Sequence, residues 1–186
     1  MTFSNLHNKK NLLLIAGTGR NVGKTILACE IIHILSKTTK VIGVKISHHF
    51  HSVEEGQKVI ANTQDYLIIE ESLITSKDSS RMKQAGANKV FYIQARQENL
   101  LKAFNIVSDE IDNSLVICES GGLHRYIKPG VFLLVKGNEI PEDKKPLLSF
   151  NPIIVSYING ISNINITNIH FQDNCFTFNL NPDDKV

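Results

Sequence analysis

Three glycines, a lysine and a threonine stand together in Gly17-Thr18-Gly19-Arg20-Asn21-Val22-Gly23-Lys24-Thr25. The apolar run LLLIA precedes them and the apolar-periodic run ILACEII follows. Glycines let successive backbone N–H groups turn inward on an anion. A helix opening at this point adds the partial positive charge of its N-terminus. Lys24 can then reach the outer phosphates of a nucleotide, and the Thr25 hydroxyl can ligate Mg2+. Gly17, Thr18, Gly19, Arg20, Asn21, Val22, Gly23, Lys24, Thr25 and Ile26 are the candidate phosphate-binding set. The strict pattern Gly-x-x-x-x-Gly-Lys-[Ser/Thr] needs glycine at 18, where this chain has Thr18. A glycine-rich strand-to-helix turn that binds nothing is the plain alternative.

Three further groups could do chemistry. Lys45-Ile46-Ser47-His48-His49-Phe50-His51 places three histidines in four residues, a possible metal or phosphate site. No distant cysteine or carboxylate pattern completes a zinc site, so a polar loop after a strand fits as well. In Lys77-Asp78-Ser79-Ser80-Arg81-Met82-Lys83-Gln84-Ala85-Gly86-Ala87, Asp78 or Ser79 can cap a helix and Gly86 can close it. Capping explains the termini but not Lys77 or Arg81. Glu119, in Cys118-Glu119-Ser120-Gly121-Gly122, ends an apolar run. A carboxylate there could hold Mg2+ directly or through water; a charged residue before a glycine turn is the alternative.

The elements that must position these groups alternate. Strands are expected at Asn11–Ala16, Lys40–Ile46, Lys89–Ala95, Ser114–Cys118, Val131–Val135 and Ile153–Val155, and helices at Gly23–Ser36, Ser79–Ala85 and Arg96–Ile111. Consecutive apolar residues suit strands buried on both faces. The alternation predicts an α/β fold, a three-layer, mostly parallel sheet flanked by helices, with ligands at the carboxyl ends of the strands. An insertion at about 48–77 breaks the pattern and holds one strand-like piece, Tyr66–Ile69. An antiparallel hairpin at about 161–181, centred on Gln172-Asp173-Asn174, is expected at the sheet edge.

The 186 residues suit a single domain, 1–186, and 42% hydrophobic residues suffice for a normal core. Basic and acidic residues number 20 and 18, which argues against a nucleic-acid or membrane partner. Met1 to Lys10 is polar and Leu12–Ala16 is too short for a signal core or a membrane span, so a cytoplasmic location is expected. Three scattered cysteines, Cys29, Cys118 and Cys175, read as reduced core filler.

The loop Gly17–Thr25 resembles the GTDTxVGKT loop of dethiobiotin synthetases, which places its first glycine and threonine as they stand here. The Lys77–Ala87 segment resembles the Lys-Asp-Ser-x-Arg-x-x-x-Ala-Gly-Ala stretch of the MobB adaptor family of molybdopterin-guanine dinucleotide biosynthesis. Lys77, Asp78, Ser79, Arg81, Ala85, Gly86 and Ala87 fall in register with it. The histidine segment resembles that family's Lys-His-x-His-His stretch more loosely, with Ser47 where a histidine is expected. Glu119–Gly122 resembles the Glu-Gly-Ala-Gly-Gly stretch of dethiobiotin synthetase, where the glutamate serves the metal. The likeness covers residues 11 to 125 in patches; the insertion and the last third have no counterpart.

What the resemblance implies is a P-loop NTPase fold that binds GTP or ATP with Mg2+, and a possible adaptor role beside a partner enzyme of molybdenum cofactor biosynthesis. It also implies a homodimer, and weak NTPase activity without the partner. Lys24, Asp78 and Glu119 would be the catalytic set, and Thr25, Asp78 and Glu119 the metal set. Lys45, His48, His49 and Arg81 would face a second ligand. Two alternatives stand: an ATP-dependent ligase resembling dethiobiotin synthetase, and a partner-binding module with a vestigial site. No Asn-Lys-x-Asp guanine reader is present; Asn159 is a candidate base contact or an ordinary turn asparagine.

Overall fold

The computed structural model describes residues 6–72, 78–111 and 114–179. Lys77, the start of the Lys-Asp-Ser segment, lies outside them, as does the Asp78 side chain. The strands and helices in chain order are β1 His7–Gly17, α1 Lys24–Leu35, β2 Val41–Ser47, β3 Lys58–Asn62, β4 Tyr66–Glu70, α2 Asp78–Gln84 and β5 Lys89–Ala95. There follow α3 Leu100–Ile106, α4 Ser108–Ile111, β6 Leu115–Glu119, β7 Ile127–Lys136, β8 Ile153–Ile158, β9 Ile161–Ser162, β10 Ile169–Gln172 and β11 Cys175–Phe178. Short 3-10 segments fill the connections at Gln97–Asn99, Leu123–Arg125, Glu142–Phe150 and Ile166–Asn168.

The main sheet runs β3-β4-β5-β2-β6-β1-β7-β8-β9. Its centre, β5-β2-β6-β1-β7-β8, is parallel throughout. The outer pairs β3–β4, β4–β5 and β8–β9 are antiparallel. Alternation along β1 sends Leu12, Leu14 and Ala16 into one core and Leu13 and Ile15 into the other. The first core lies under α3 and α4, through Leu100, Phe104 and Ile111. The second lies under α1 and α2, through Leu27, Ile31 and Met82. Helices therefore cover both faces, as runs without polar alternation require.

Three expectations are corrected. The helix expected over Arg96–Ile111 is broken: the Ser108 hydroxyl donates to the Asn105 carbonyl oxygen at 2.7 Å, and α4 starts there. A side chain that takes a backbone carbonyl competes with the helical ladder. The insertion supplies two strands rather than one, and this pair forms one edge of the sheet. Its β3 is exposed at Lys58, Val59 and Ile60, so it lacks an apolar signature. The C-terminal hairpin, by contrast, is a separate two-stranded sheet turned at Asp173-Asn174, both with positive φ. It lies over the face of the main sheet rather than at its edge, with Ile169 and Phe176 buried in the second core.

Candidate functional site

The connection β1–α1–β2 leaves β1 toward the β6 and β2 side, whereas β6 passes to β7 on β1's other side. The strand order therefore reverses about β1, and such a switch opens a crevice beyond the strand ends. The loop 17–23 stands at that crevice.

Register fixes what faces it. Ile15 lies beside Glu119, Glu119 beside Lys45, and Lys45 beside Tyr92, one row across β1, β6, β2 and β5. Two residues earlier, on the same face, Leu13, Ile117 and Val90 are core. On β6 and β5 one step of the strand's two-residue period thus carries the chain from the core under α1 to the floor of the crevice, while Ile15 of β1 is still core.

Glu119 is 2% exposed and is held from both sides. The Thr25 hydroxyl donates to its Oε2 at 2.8 Å, and the Lys45 ammonium pairs with its Oε1 at 2.5 Å. A buried carboxylate is tolerable because both oxygens are met. Thr25 is the second residue of α1, so the helix start and the end of β6 are tied by one hydrogen bond.

Gly23 precedes α1 with φ +102°, and a Cβ there would stand 2.8 Å from the Tyr157 ring. Gly17 has the Lys24 stem against it, where a Cβ would meet Lys24 Cδ at 2.6 Å. Lys24 folds back along the loop, and its ammonium donates to the Gly19 carbonyl oxygen at 2.6 Å. Thr18 is buried, and its hydroxyl oxygen accepts from the Gly137 N–H at 3.3 Å. Thr18 thereby ties the loop to the chain beyond β7, a contact glycine could not make. Arg20 donates to His49 Nε2 at 3.0 Å, joining the loop to the segment after β2. Since arginine only donates, Nε2 is the acceptor and the His49 proton sits on Nδ1.

These groups enclose a cavity of about 640 Å3. Its walls include Arg20, Lys24, Lys45 and Arg81, and Glu119 is the lone carboxylate on them among the described residues. Four cations against one acid make a strongly electropositive hollow. Asn21, Gly23, Thr25, Ile26, Ser47, His49, His51, Ser79 and Tyr92 complete it. Residues from three distant segments, 20–26, 45–51 and 79–81, are thus brought together. His48 is not among them: its Nδ1–H donates to the Ala95 carbonyl oxygen at 3.1 Å. The histidines do not converge, and no group of three or more metal-ligating side chains exists among the described residues.

A second hollow of about 460 Å3 opens on the loop's other flank, sharing Asn21 with the first. Val22, Lys136, Gly137, Asn138, Ser156, Tyr157 and Ile158 line it. Burial and the nearby Glu30 carboxylate, which accepts the Tyr157 O–H at 3.1 Å, push the Tyr157 phenol above its ordinary range and keep it a donor. Asn159 lines neither hollow; with Gly160 it makes the turn between β8 and β9, both at positive φ.

Tyr92 and the Lys136-Gly137-Asn138 corner belong to no motif of the sequence, and Ser79, a capping candidate, is a wall residue as well. One signal was available: a polar or aromatic residue at the carboxyl end of a buried strand, in step with its core positions. Cys118, beside Glu119, is fully buried; burial raises its thiol above the ordinary range and leaves it inert. No helix among the described residues is long and apolar enough to cross a membrane. Comparison with protein-family models, with curated protein sequences and with solved structures found no match.

Proposed function

We propose that the protein is a P-loop nucleotide-binding protein of MobB-like type, which takes a nucleoside triphosphate across the 17–25 loop. One observation carries the reading: Arg20, Lys24, Lys45 and Arg81 converge on a single cavity at the start of α1. Cations of that number, beside a helix N-terminus, match a polyphosphate. In this reading the terminal phosphates lie with Lys24 in the first cavity. The nucleoside extends to the second hollow, where Asn138 and Ser156 can exchange hydrogen bonds with a base or sugar and the Tyr157 oxygen, its proton given to Glu30, can accept one.

Thr25 and Glu119 suit Mg2+, which prefers hard oxygen donors; their oxygens are already adjacent at 2.8 Å. When bound, the ion would offset negative charge on the phosphates. The chain's own contribution is to hold the anion: Lys24 and Arg20 from the loop, Lys45 from the sheet floor. Such sites accelerate hydrolysis mainly by charge stabilisation, so turnover is slow until a partner adds to it. The adaptor role in molybdenum cofactor biosynthesis, the partner enzyme and the homodimer belong to the same proposal and rest on the resemblance.

A second reading, an ATP-dependent ligase, draws on the cavity's extension to Tyr92 and Arg81, well past the loop. Mass spectrometry of nucleotide retained through purification separates the two. A guanine species supports the adaptor and an adenine species the ligase. Triphosphate binding that is equal in wild type and Lys24→Ala would overturn both.

A further inference from the structure

The second half of the glycine loop is gripped from the side of β7 and β8. Gly19, Arg20 and Asn21 are exposed, whereas Val22 and Gly23 are half-buried. The Tyr157 ring takes the room beside Gly23: a Cβ there would meet Cε2 at 2.8 Å and Cδ2 at 2.9 Å. Gly23 turns the chain into α1 at φ +102° and has no side chain with which to cap it. The first bond within the helix runs from the Leu27 N–H to the Gly23 carbonyl oxygen at 2.9 Å, so the N–H groups before Leu27 find no carbonyl inside α1. Their direction follows the Gly23 backbone, and they are the donors a phosphate would meet. Tyr157 has a second hold: its hydroxyl donates to Glu30 at 3.1 Å. Seven residues make nearly two whole turns, so Gly23 and Glu30 share one face of α1 about 10 Å apart. Helical side chains lean toward the helix start, which brings the Glu30 carboxylate back to the phenol. One side chain rooted on β8 thus fixes both the turn into α1 and a point two turns along it.

We propose that Tyr157 is the positioning residue of the phosphate loop, whose ring holds Gly23 and the first turn of α1 in the shape that receives the anion. Tyr157 lines the second hollow and not the first, so it acts on the phosphates through Gly23 rather than by touching them. The Glu30 bond keeps the ring against the glycine. Donors held ready in this way bind more tightly, because less ordering is left for the ligand to impose. The inference rests on the reading that the loop holds phosphates.

Inorganic tripolyphosphate separates this role from that of a nucleoside wall, since it has no base or sugar to reach the second hollow. Calorimetric titration of the full chain compares tripolyphosphate with GTP and ATP, at a temperature where circular dichroism shows each variant folded. Tyr157→Leu should weaken tripolyphosphate about tenfold. Tyr157→Phe keeps the ring and should recover to within about threefold of the wild type. Tyr157→Met, which keeps bulk but no ring, should repeat the tenfold loss and serves if the leucine variant does not fold. Wild-type affinity for tripolyphosphate in a folded leucine or methionine variant, whatever happens to GTP and ATP, would overturn the inference and leave Tyr157 a wall of the second hollow. A phenylalanine variant as weak as the leucine one would overturn it too, since the ring contact would then do nothing. A wild type that binds none of the three ligands would remove the nucleotide reading, and this inference with it.

Discussion

Exchanging Lys45 for methionine tests the floor of the site most directly. The Lys45 side chain is 14% exposed and that of Glu119 only 3%, so little water reaches the pair. Removing the ammonium leaves a buried carboxylate that, among the described residues, is answered by the Thr25 hydroxyl. Breaking one partner of a buried pair costs about 3–5 kcal/mol. Glu119→Gln should cost less, about 2–3 kcal/mol, because the longer lysine can swing its charge to solvent. In the double variant no uncompensated charge remains, and the loss should fall to about 1 kcal/mol. The cycle then gives a coupling of several kcal/mol, against the roughly 0–1 kcal/mol of an exposed pair. Urea unfolding of the four proteins near neutral pH, without nucleotide, reads it out. Magnesium alone should stabilise Lys45→Met more than wild type, since a carboxylate oxygen is open to the cation. Single losses under about 1 kcal/mol, or strict additivity, would refute the reasoning.

Gly23→Ala should lower stability by about 1–3 kcal/mol, since φ +102° is strained for any side chain and the Tyr157 ring occupies the space. Differential scanning calorimetry should show it as a fall of several degrees in Tm. His124 lies against Phe132 and Phe150 with no partner for its Nδ1 among the described residues, and burial lowers its pKa from 6.5 to about 4. The folded state thus refuses a proton that the unfolded chain accepts. Stability is full above about pH 6.5 and falls as pH drops toward 4; His124→Phe should flatten that slope by about 2 kcal/mol between roughly pH 7 and pH 5. An equal slope in both proteins under urea denaturation would show that other groups dominate. Gly17→Ala should displace the Lys24 stem and weaken triphosphate binding at least about tenfold; unchanged triphosphate affinity in a fluorescence titration would refute that role for Lys24.

The parallel centre of the sheet was legible because LLLIA, KVIGVKI, KVFYIQA and LVICE are apolar on consecutive residues. The turn between β1 and α1 was legible because three glycines stand between an apolar run and a helix-periodic one. Illegible features depend on contacts between distant segments. Nothing local says that His48 turns to the Ala95 carbonyl while His49 meets Arg20. Tyr92 becomes a wall residue only through the β2–β5 register. The β3 strand carries exposed valine and isoleucine, so its pairing with β4 leaves little trace in composition. The C-terminal alternation correctly signalled a hairpin but could not say which surface would receive it.

That surface has a bearing on biosynthesis. Gly130, in β7, has no room for a side chain between the Lys10 carbonyl and Phe176, so the hairpin is seated tightly across the first strand. The strand carrying the glycine loop leaves the ribosome before the strands that flank it. Its lateral neighbours β6 and β7 and the covering β11 follow more than about a hundred residues later, as befits a topology dominated by long-range pairing. For that interval LLLIA is an unshielded sticky segment in the nascent chain, and the protein depends on chaperone shelter or swift late closure to avoid clumping.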